Sequence, residues 1–194
     1  MGAEKIEDRK YSLEEYFKLC LASEWKYEFH DGTIYSMAGG KIAHNRTKKN
    51  VYDTLIKSDS TCTVFDSDVA VNVQSLNRYY FPDISVICGE VDTSDEGGIQ
   101  RLFNGQLIIE VLSQSTAEKD RVEKLHAYAR MDSFQEYILI DSRKCQIETF
   151  YREEGNKWTI GSYYRMDQTL PIKTMGLQLP VSTIYAGVNF TDGQ

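Results

Sequence analysis

The 194 residues are 41% hydrophobic and 26% charged, which describes an ordinary soluble globular chain, long enough for a sizeable core without disulfide or metal staples. A net charge of −7 is not the footprint of a tight, non-specific nucleic-acid binder, although a local basic strip or a bound cation would still let an enzyme meet DNA. The four cysteines (Cys20, Cys62, Cys88, Cys145) are scattered without C-x-x-C or zinc spacing, so a reduced, cytoplasmic setting is expected. The polar N-terminus does not read as a signal peptide, and no apolar run reaches membrane-spanning length.

Taken in order, residues 1–10 are charged and expected to be loose, ahead of a single domain over 11–190. Ser12-Leu13-Glu14-Glu15 reads as a capping box, with Tyr11 and Tyr16 placed as a hydrophobic staple, and opens a helix to about Ala22. Two short strands, Trp25 to Phe29 and Thr33 to Met37, flank Asp31-Gly32, a strong hairpin signal. After Gly39-Gly40 the spacing of His44, Val51 and Leu55 predicts one face of a helix from Ile42 to Lys57. Lys41, Arg46, Lys48 and Lys49 cluster early in that helix. Such a run is most often a solvated face; in an acidic chain Arg46, Lys48 and Lys49 are also the best candidates for phosphate contact.

Strand-like runs follow at Thr61 to Phe65, Asp68 to Val73 and Tyr79 to Cys88, with the alternation of Val69, Val71 and Val73 predicting one buried face. Asp92 to Gly98 reads as an acidic surface loop. Leu107 to Leu112 is almost continuously apolar, as for a strand covered on both faces. Ser115-Thr116-Ala117-Glu118 reads as the cap of a helix to about Met131, followed by a central strand at Tyr137 to Ile140. Gln146 to Tyr151 and Trp158 to Tyr164 resemble a more exposed hairpin, and Pro180 precedes a short last helix. Helices bracketing strands predict an α/β (α+β) layered fold with a mixed sheet. The G-x-G-x-x-G, P-loop, G-x-S-x-G and H-E-x-x-H motifs are all missing, which removes several common enzyme classes.

Glu110, in the middle of the apolar run, carries most information. A lone buried carboxylate costs several kcal/mol unless it is paired, protonated or bound to a cation. Either Glu110 meets water at a strand end, or it points into a polar cleft with Asp83, which follows Pro82. Two hard oxygen ligands from neighbouring strands suit Mg²⁺ or Mn²⁺, which would leave room for water and a substrate phosphate. Lys119, Arg121 and Lys124 on the following helix are the candidate cations; any one of them is also an ordinary solvated side chain.

The ordered set Tyr27-Glu28-Phe29-His30-Asp31-Gly32, His44-Asn45-Arg46, Phe65-Asp66-Ser67-Asp68, Tyr80-Phe81-Pro82-Asp83, Ile109-Glu110-Val111-Leu112-Ser113, Asp120-Arg121-x-x-Lys124-x-x-x-Tyr128 and Glu136 to Asp141 resembles the Uma2 family of restriction-endonuclease-like proteins. The resemblance spans about Tyr11 to Val188. It implies a PD-(D/E)xK nuclease core, a mixed β-sheet flanked by helices. Asp83 would be the PD aspartate and Glu110 the second acid, both catalytic and both metal ligands, with the Val111 backbone carbonyl as a further ligand. The lysine two residues after the glutamate is replaced here by Leu112, and the resemblance moves its role to Lys124. Glu28 and His44 would support the site, His44 by orienting Glu28 or a phosphate, unless it is simply a satisfied helix histidine. Implied with these are Mg²⁺ (or Mn²⁺), a DNA substrate, a possible homodimer and no membrane. The acidic charge and the missing lysine at 112 leave a second expectation open, a nuclease-fold module that binds nucleic acid or a protein without robust catalysis.

Overall fold

In the computed structural model, which describes residues 4–190 apart from 38, 59, 60, 115 and 116, the chain passes back and forth between two mixed sheets. The first part supplies β1 (Glu4–Lys5), helix α1 (Leu13–Ala22), β2 (Tyr27–His30), β3 (Thr33–Ser36) and α2 (Ile42–Ile56). β4 (Cys62–Asp66), β5 (Ala70–Val73), β6 (Arg78–Tyr80), β7 (Ile84–Cys88), β8 (Thr93–Glu96), β9 (Ile99–Leu102) and β10 (Leu107–Leu112) follow. One helical stretch, residues 117–128, comprises α3 (Ala117–Lys119), a π-helical segment (Asp120–Lys124) and α4 (Leu125–Tyr128). The chain ends with β11 (Glu136–Asp141), β12 (Ile147–Arg152), β13 (Trp158–Tyr163), β14 (Thr169–Ile172), β15 (Leu177–Pro180) and α5 (Val181–Ile184).

Local chemistry accounts for the early elements. Ser12 Oγ accepts from the Glu15 N–H while the Glu15 carboxylate accepts from the Ser12 N–H, so both halves of the capping box form. Asp31 and Gly32 both take positive φ (47° and 87°), the conformation a two-residue hairpin turn needs. The segment expected to be loose contributes β1, whose Glu4 and Lys5 pair with Ser36 and Tyr35.

The seven-stranded sheet has the order β1-β3-β2-β6-β5-β9-β8, and the six-stranded sheet the order β13-β12-β11-β10-β7-β4. Each has one parallel junction, β5 with β9 and β10 with β11. The run Tyr79 to Cys88, read as one strand, is two: β6 belongs to the first sheet and β7 to the second. Pro82, which has no N–H to give a ladder, stands at the crossing. Asp92 to Gly98 is not a loop but half of the β8–β9 hairpin, turned at Gly97 and Gly98. β5 is buried on both faces, because Ala70 and Asn72 are covered as fully as Val71 and Val73.

Three apolar clusters hold these layers together. Tyr16 and Phe17 of α1 pack on Phe29, Ile34 and Tyr79 at the outer face of the first sheet. Val71, Tyr80, Ile108, Leu112, Tyr128 and Tyr137 fill the space between the sheets, where residues 117–128 lie. Val51 and Leu55 of α2, with β14, β15 and α5, cover Val86, Ile109, Ile138 and Ile140 on the far face of the second sheet. The Ser115-Thr116 cap falls outside the described residues. Among those described, no helix is long and apolar enough to cross a membrane.

The cysteines correct one expectation. β4 and β7 put Cys62 opposite Cys88, with Cα atoms 4.0 Å apart, and the two sulfurs form a disulfide; Cys20 and Cys145 are free. Strand pairing makes neighbours of residues 26 apart in sequence. The scattered spacing therefore carries no argument for a reduced compartment.

Candidate active site

The alternation of strands aims the acids. On β2, Phe29 packs toward α1, so Glu28 and His30 point the other way, into the space between the sheets. On β10, Leu107 and Ile109 join the far-face core, so Ile108, Glu110 and Leu112 face the 117–128 helix. One step beyond the last β7–β10 pair, Ile84 with Ile109, brings Asp83 level with Glu110. Asp83 thus reaches the cleft from the crossing between the sheets, and its Oδ2 accepts from the Val111 N–H at 2.8 Å.

Lys124 is where these pieces meet. Its Nζ lies 2.8 Å from Glu110 Oε1, 3.1 Å from Asp120 Oδ1 and 3.4 Å from Glu28 Oε1. Lys119 Nζ donates to the other Glu28 oxygen at 2.9 Å, and His30 Nε2 stands 3.2 Å from that same oxygen. His30 Nδ1 in turn lies 3.1 Å from Glu123, which Arg78 also holds. Asp120 and Lys124 both lie in the π-helical turn and both are buried, and the Tyr137 hydroxyl donates to the Asp120 carbonyl at 3.0 Å.

Electrostatics follow from burial and pairing. Burial opposes the charged form of Glu28, but Lys124, His30 and Lys119 outweigh it and hold its carboxyl far below the usual range. At Glu110 burial wins: Lys124 pulls the carboxyl down, but Asp120 and Asp83 add like charge, and it ends well above the usual range. Burial alone would lower Lys124, yet Asp120, Glu110 and Glu28 together raise it well above an ordinary lysine. For Asp83 the cost of burial is overcome by the His44 and Val111 hydrogen bonds, which lower its carboxyl.

The structure thus brings Asp83, Glu110, Lys124 and Glu28 to one place and sorts the other candidates. His44 Nε2 is 3.2 Å from Asp83 Oδ2, so this histidine addresses Asp83 rather than Glu28; the histidine on Glu28 is His30. Val111 meets Asp83 through its N–H. Arg121 faces away, pairing with Glu148 at 2.8 Å. The basic cluster is spread around α2: Arg46 donates to the Gly187 carbonyl, Lys49 pairs with Asp53, and of the three proposed phosphate contacts Lys48 is the one that lines the cleft. Sequence reasoning missed Asp120 and His30. The signals were there: Asp120 is four residues before Lys124 on a helix, and His30 two residues after Glu28 on a strand.

The cleft above these groups has a volume of about 640 Å³ and is floored by Asp83, Glu110, Asp120 and Lys124. Two mixed sheets with a charged helix between them, and carboxylates gathered around a lysine at the strand ends, put the protein in the class of restriction-endonuclease-like folds. The chain belongs to the Uma2 family, described as "Putative restriction endonuclease", which it matches over residues 13–182. Two uncharacterized proteins of Synechocystis are each 31% identical, one over 93% of this chain and 94% of its own length, the other over 70% and 77%. A crystal structure from Anabaena variabilis, described as a putative nuclease belonging to DUF820, shares the fold at a TM-score of 0.71 and 18% identity, covering 92% of this chain and 99% of that one.

Proposed function

We propose that the protein is a metal-dependent endonuclease that hydrolyses a DNA phosphodiester bond in the cleft floored by Asp83, Glu110 and Lys124. The observation that carries this reading is the Lys124–Glu110 contact of 2.8 Å beside an Asp83 fixed by backbone and histidine. Leu112 fills the position where an E-x-K motif has its lysine, and its side chain shares the Glu110 face; Lys124 enters that face from the helix packed upon it. The ammonium therefore reaches the same side of the strand by another route.

The donor set fits a hard divalent cation. Among the described residues no three His, Cys, Asp or Glu side chains are grouped to hold a metal. Asp83 and Glu110 are two carboxylates level on adjacent strands, and a backbone carbonyl such as that of Val111, water and substrate phosphate are what Mg²⁺ takes beside one or two carboxylates. Bound there, Mg²⁺ or Mn²⁺ would polarise a phosphoryl oxygen and acidify water. The chain's own work is positional and electrostatic. The Val111 N–H and His44 fix Asp83, while Glu28 and Asp120 hold the Lys124 ammonium against Glu110. Lys124, ringed by carboxylates, acts as a fixed positive charge toward the phosphate.

One observation favours a binding module without catalysis: Lys124 already answers the charge of Glu28, Glu110 and Asp120, so the acids have a partner with no metal ion. Mn²⁺ titration by calorimetry, run beside plasmid nicking on wild type, Glu110→Gln and Asp83→Ala, separates the two. The nuclease reading expects binding and nicking to vanish together in both variants while each stays folded. Nicking that is equal in all three proteins would refute it, and DNA binding indifferent to Mg²⁺ and to Asp83→Ala would favour the module.

A further inference from the structure

Trp25 is 68% exposed, the largest side chain among the exposed apolar residues, and it lines the same cleft as Asp83, Glu110 and Lys124. It does not sit on a loose tip. The Trp25 backbone N–H donates to Ser23 Oγ at 3.0 Å. The next residue, Lys26, donates to the Ser67 carbonyl at 2.9 Å and pairs with Asp68, which pins the loop across the cleft wall. A backbone held by these bonds thus presents an indole to solvent at the cleft wall. Lys26 and Lys48 stand in the same wall, Lys48 with its Nζ 3.2 Å from Ser67 Oγ. The acids below are nearly covered, with Glu110 at 4% and Asp120 at 2% exposure. A recess of about 640 Å³ is of the size that takes a small ligand, such as a nucleotide or two.

From this juxtaposition of an exposed, anchored indole with lysines above a recessed acid–lysine floor, we infer that Trp25 is a stacking platform for an unpaired nucleobase, and that the substrate is single-stranded or locally unpaired nucleic acid. The inference rests on the phosphodiester reading of the cleft and adds the strandedness of its substrate. Stacking on an aromatic face beside a basic groove holds single strands without regard to sequence. It also supplies affinity that a chain of net charge −7 does not obtain from backbone contacts alone.

The test uses an end-labelled oligothymidylate of about twelve nucleotides, within the span such sites cover, and a duplex of equal length, both in EDTA to prevent cleavage. Anisotropy and intrinsic fluorescence are read on the full chain; Trp25→Ala leaves Trp158 as the remaining indole and so isolates the Trp25 signal. The expected result is that the single strand quenches Trp25, Trp25→Ala binds it about tenfold more weakly, Trp25→Phe stays near wild type, and the duplex binds more weakly without quenching. Equal binding by Trp25→Ala, no strand binding by wild type, or equal binding and quenching by the duplex overturns the inference. So does a loss of self-association in Trp25→Ala, seen by sedimentation, with strand binding intact; Trp25 would then be a contact between two copies. Strand binding with quenching, but no cleavage of the labelled strand by wild type in Mn²⁺, would retain the platform and remove the nuclease reading.

Discussion

The two faces of β10 are built by opposite rules. Leu107 and Ile109 enter an aliphatic core with Val86, Ile138 and Ile140, closed by α2 and the β14–β15 hairpin. Ile108, Glu110 and Leu112 enter a space lined by Tyr80, Tyr128 and Tyr137, into which the 117–128 helix delivers Lys124 and Asp120. The first face gains stability from burial, and any well-packed aliphatic set of the same volume would serve. The second spends stability: its carboxylates and ammonium are desolvated and hold only because each answers another. One face stabilises the fold, and the other is held in place by it.

The sharpest way to break that contrast is Lys124→Met. The ammonium is shared by Glu28, Glu110 and Asp120, so its loss leaves buried like charges facing one another. We expect a loss of about 3–5 kcal/mol in urea unfolding, together with loss of metal-dependent nicking. Adding Glu110→Gln should recover part of that stability without restoring activity, because a neutral amide removes the repulsion but not the defect. A Lys124→Met protein as stable as wild type would show that the charged face is not under the tension described. On the opposite face, Ile138→Ala should cost about 2–5 kcal/mol as a cavity mutation, with the nicking rate per folded molecule unchanged. Nicking lost in proportion to stability would mean that the faces are not separable.

A smaller effect on folding, with a clear one on chemistry, is expected at His44. Its Nε2 lies 3.2 Å from Asp83 Oδ2, and its side chain is only partly covered. His44→Ala should shift the urea midpoint by no more than about 1 kcal/mol while lowering Mn²⁺ affinity or nicking about 10- to 100-fold, as expected for a residue that orients a ligand. If calorimetry shows unchanged Mn²⁺ affinity and nicking is also unchanged, the Val111 N–H alone fixes Asp83.

The same contrast explains what could be read from the sequence. The capping box at Ser12, the turn at Asp31-Gly32 and the buried run 107–112 are local or periodic signals, and each formed where expected. Glu110 was conspicuous because a charge interrupts an apolar run, and Asp83 because a proline precedes it. Their meeting depends on strand register, which sequence periodicity does not supply. The division of Tyr79 to Cys88 between two sheets and the pairing of Cys62 with Cys88 are likewise products of long-range pairing. Asp120 was hidden because a helical aspartate is ordinarily a solvated one. Its spacing of four residues from Lys124, which puts both side chains on one helix face, was the signal available in the sequence.

Asp141 offers the finest test, since it lies where the charged face ends. Its strand position matches Leu112 across the parallel β10–β11 ladder, and its side chain is fully covered. Burial opposes its charge, but Arg143 donates from its backbone N–H and its guanidinium, and these bonds hold the carboxyl below the usual aspartate range. A carboxyl depressed in the folded state binds its proton more readily when unfolded. Its contribution is therefore present above the ordinary value of about 3.9 and is lost as pH falls through the lower folded value. Asp141→Asn removes that titration. The stability advantage of wild type over the variant, about 1 kcal/mol near neutrality, should therefore shrink as urea unfolding is followed from about pH 5 downward. An advantage that stays constant over that range would place the value of Asp141 in packing and neutral hydrogen bonds. The end of β11 would then belong with the aliphatic face rather than with the charged one.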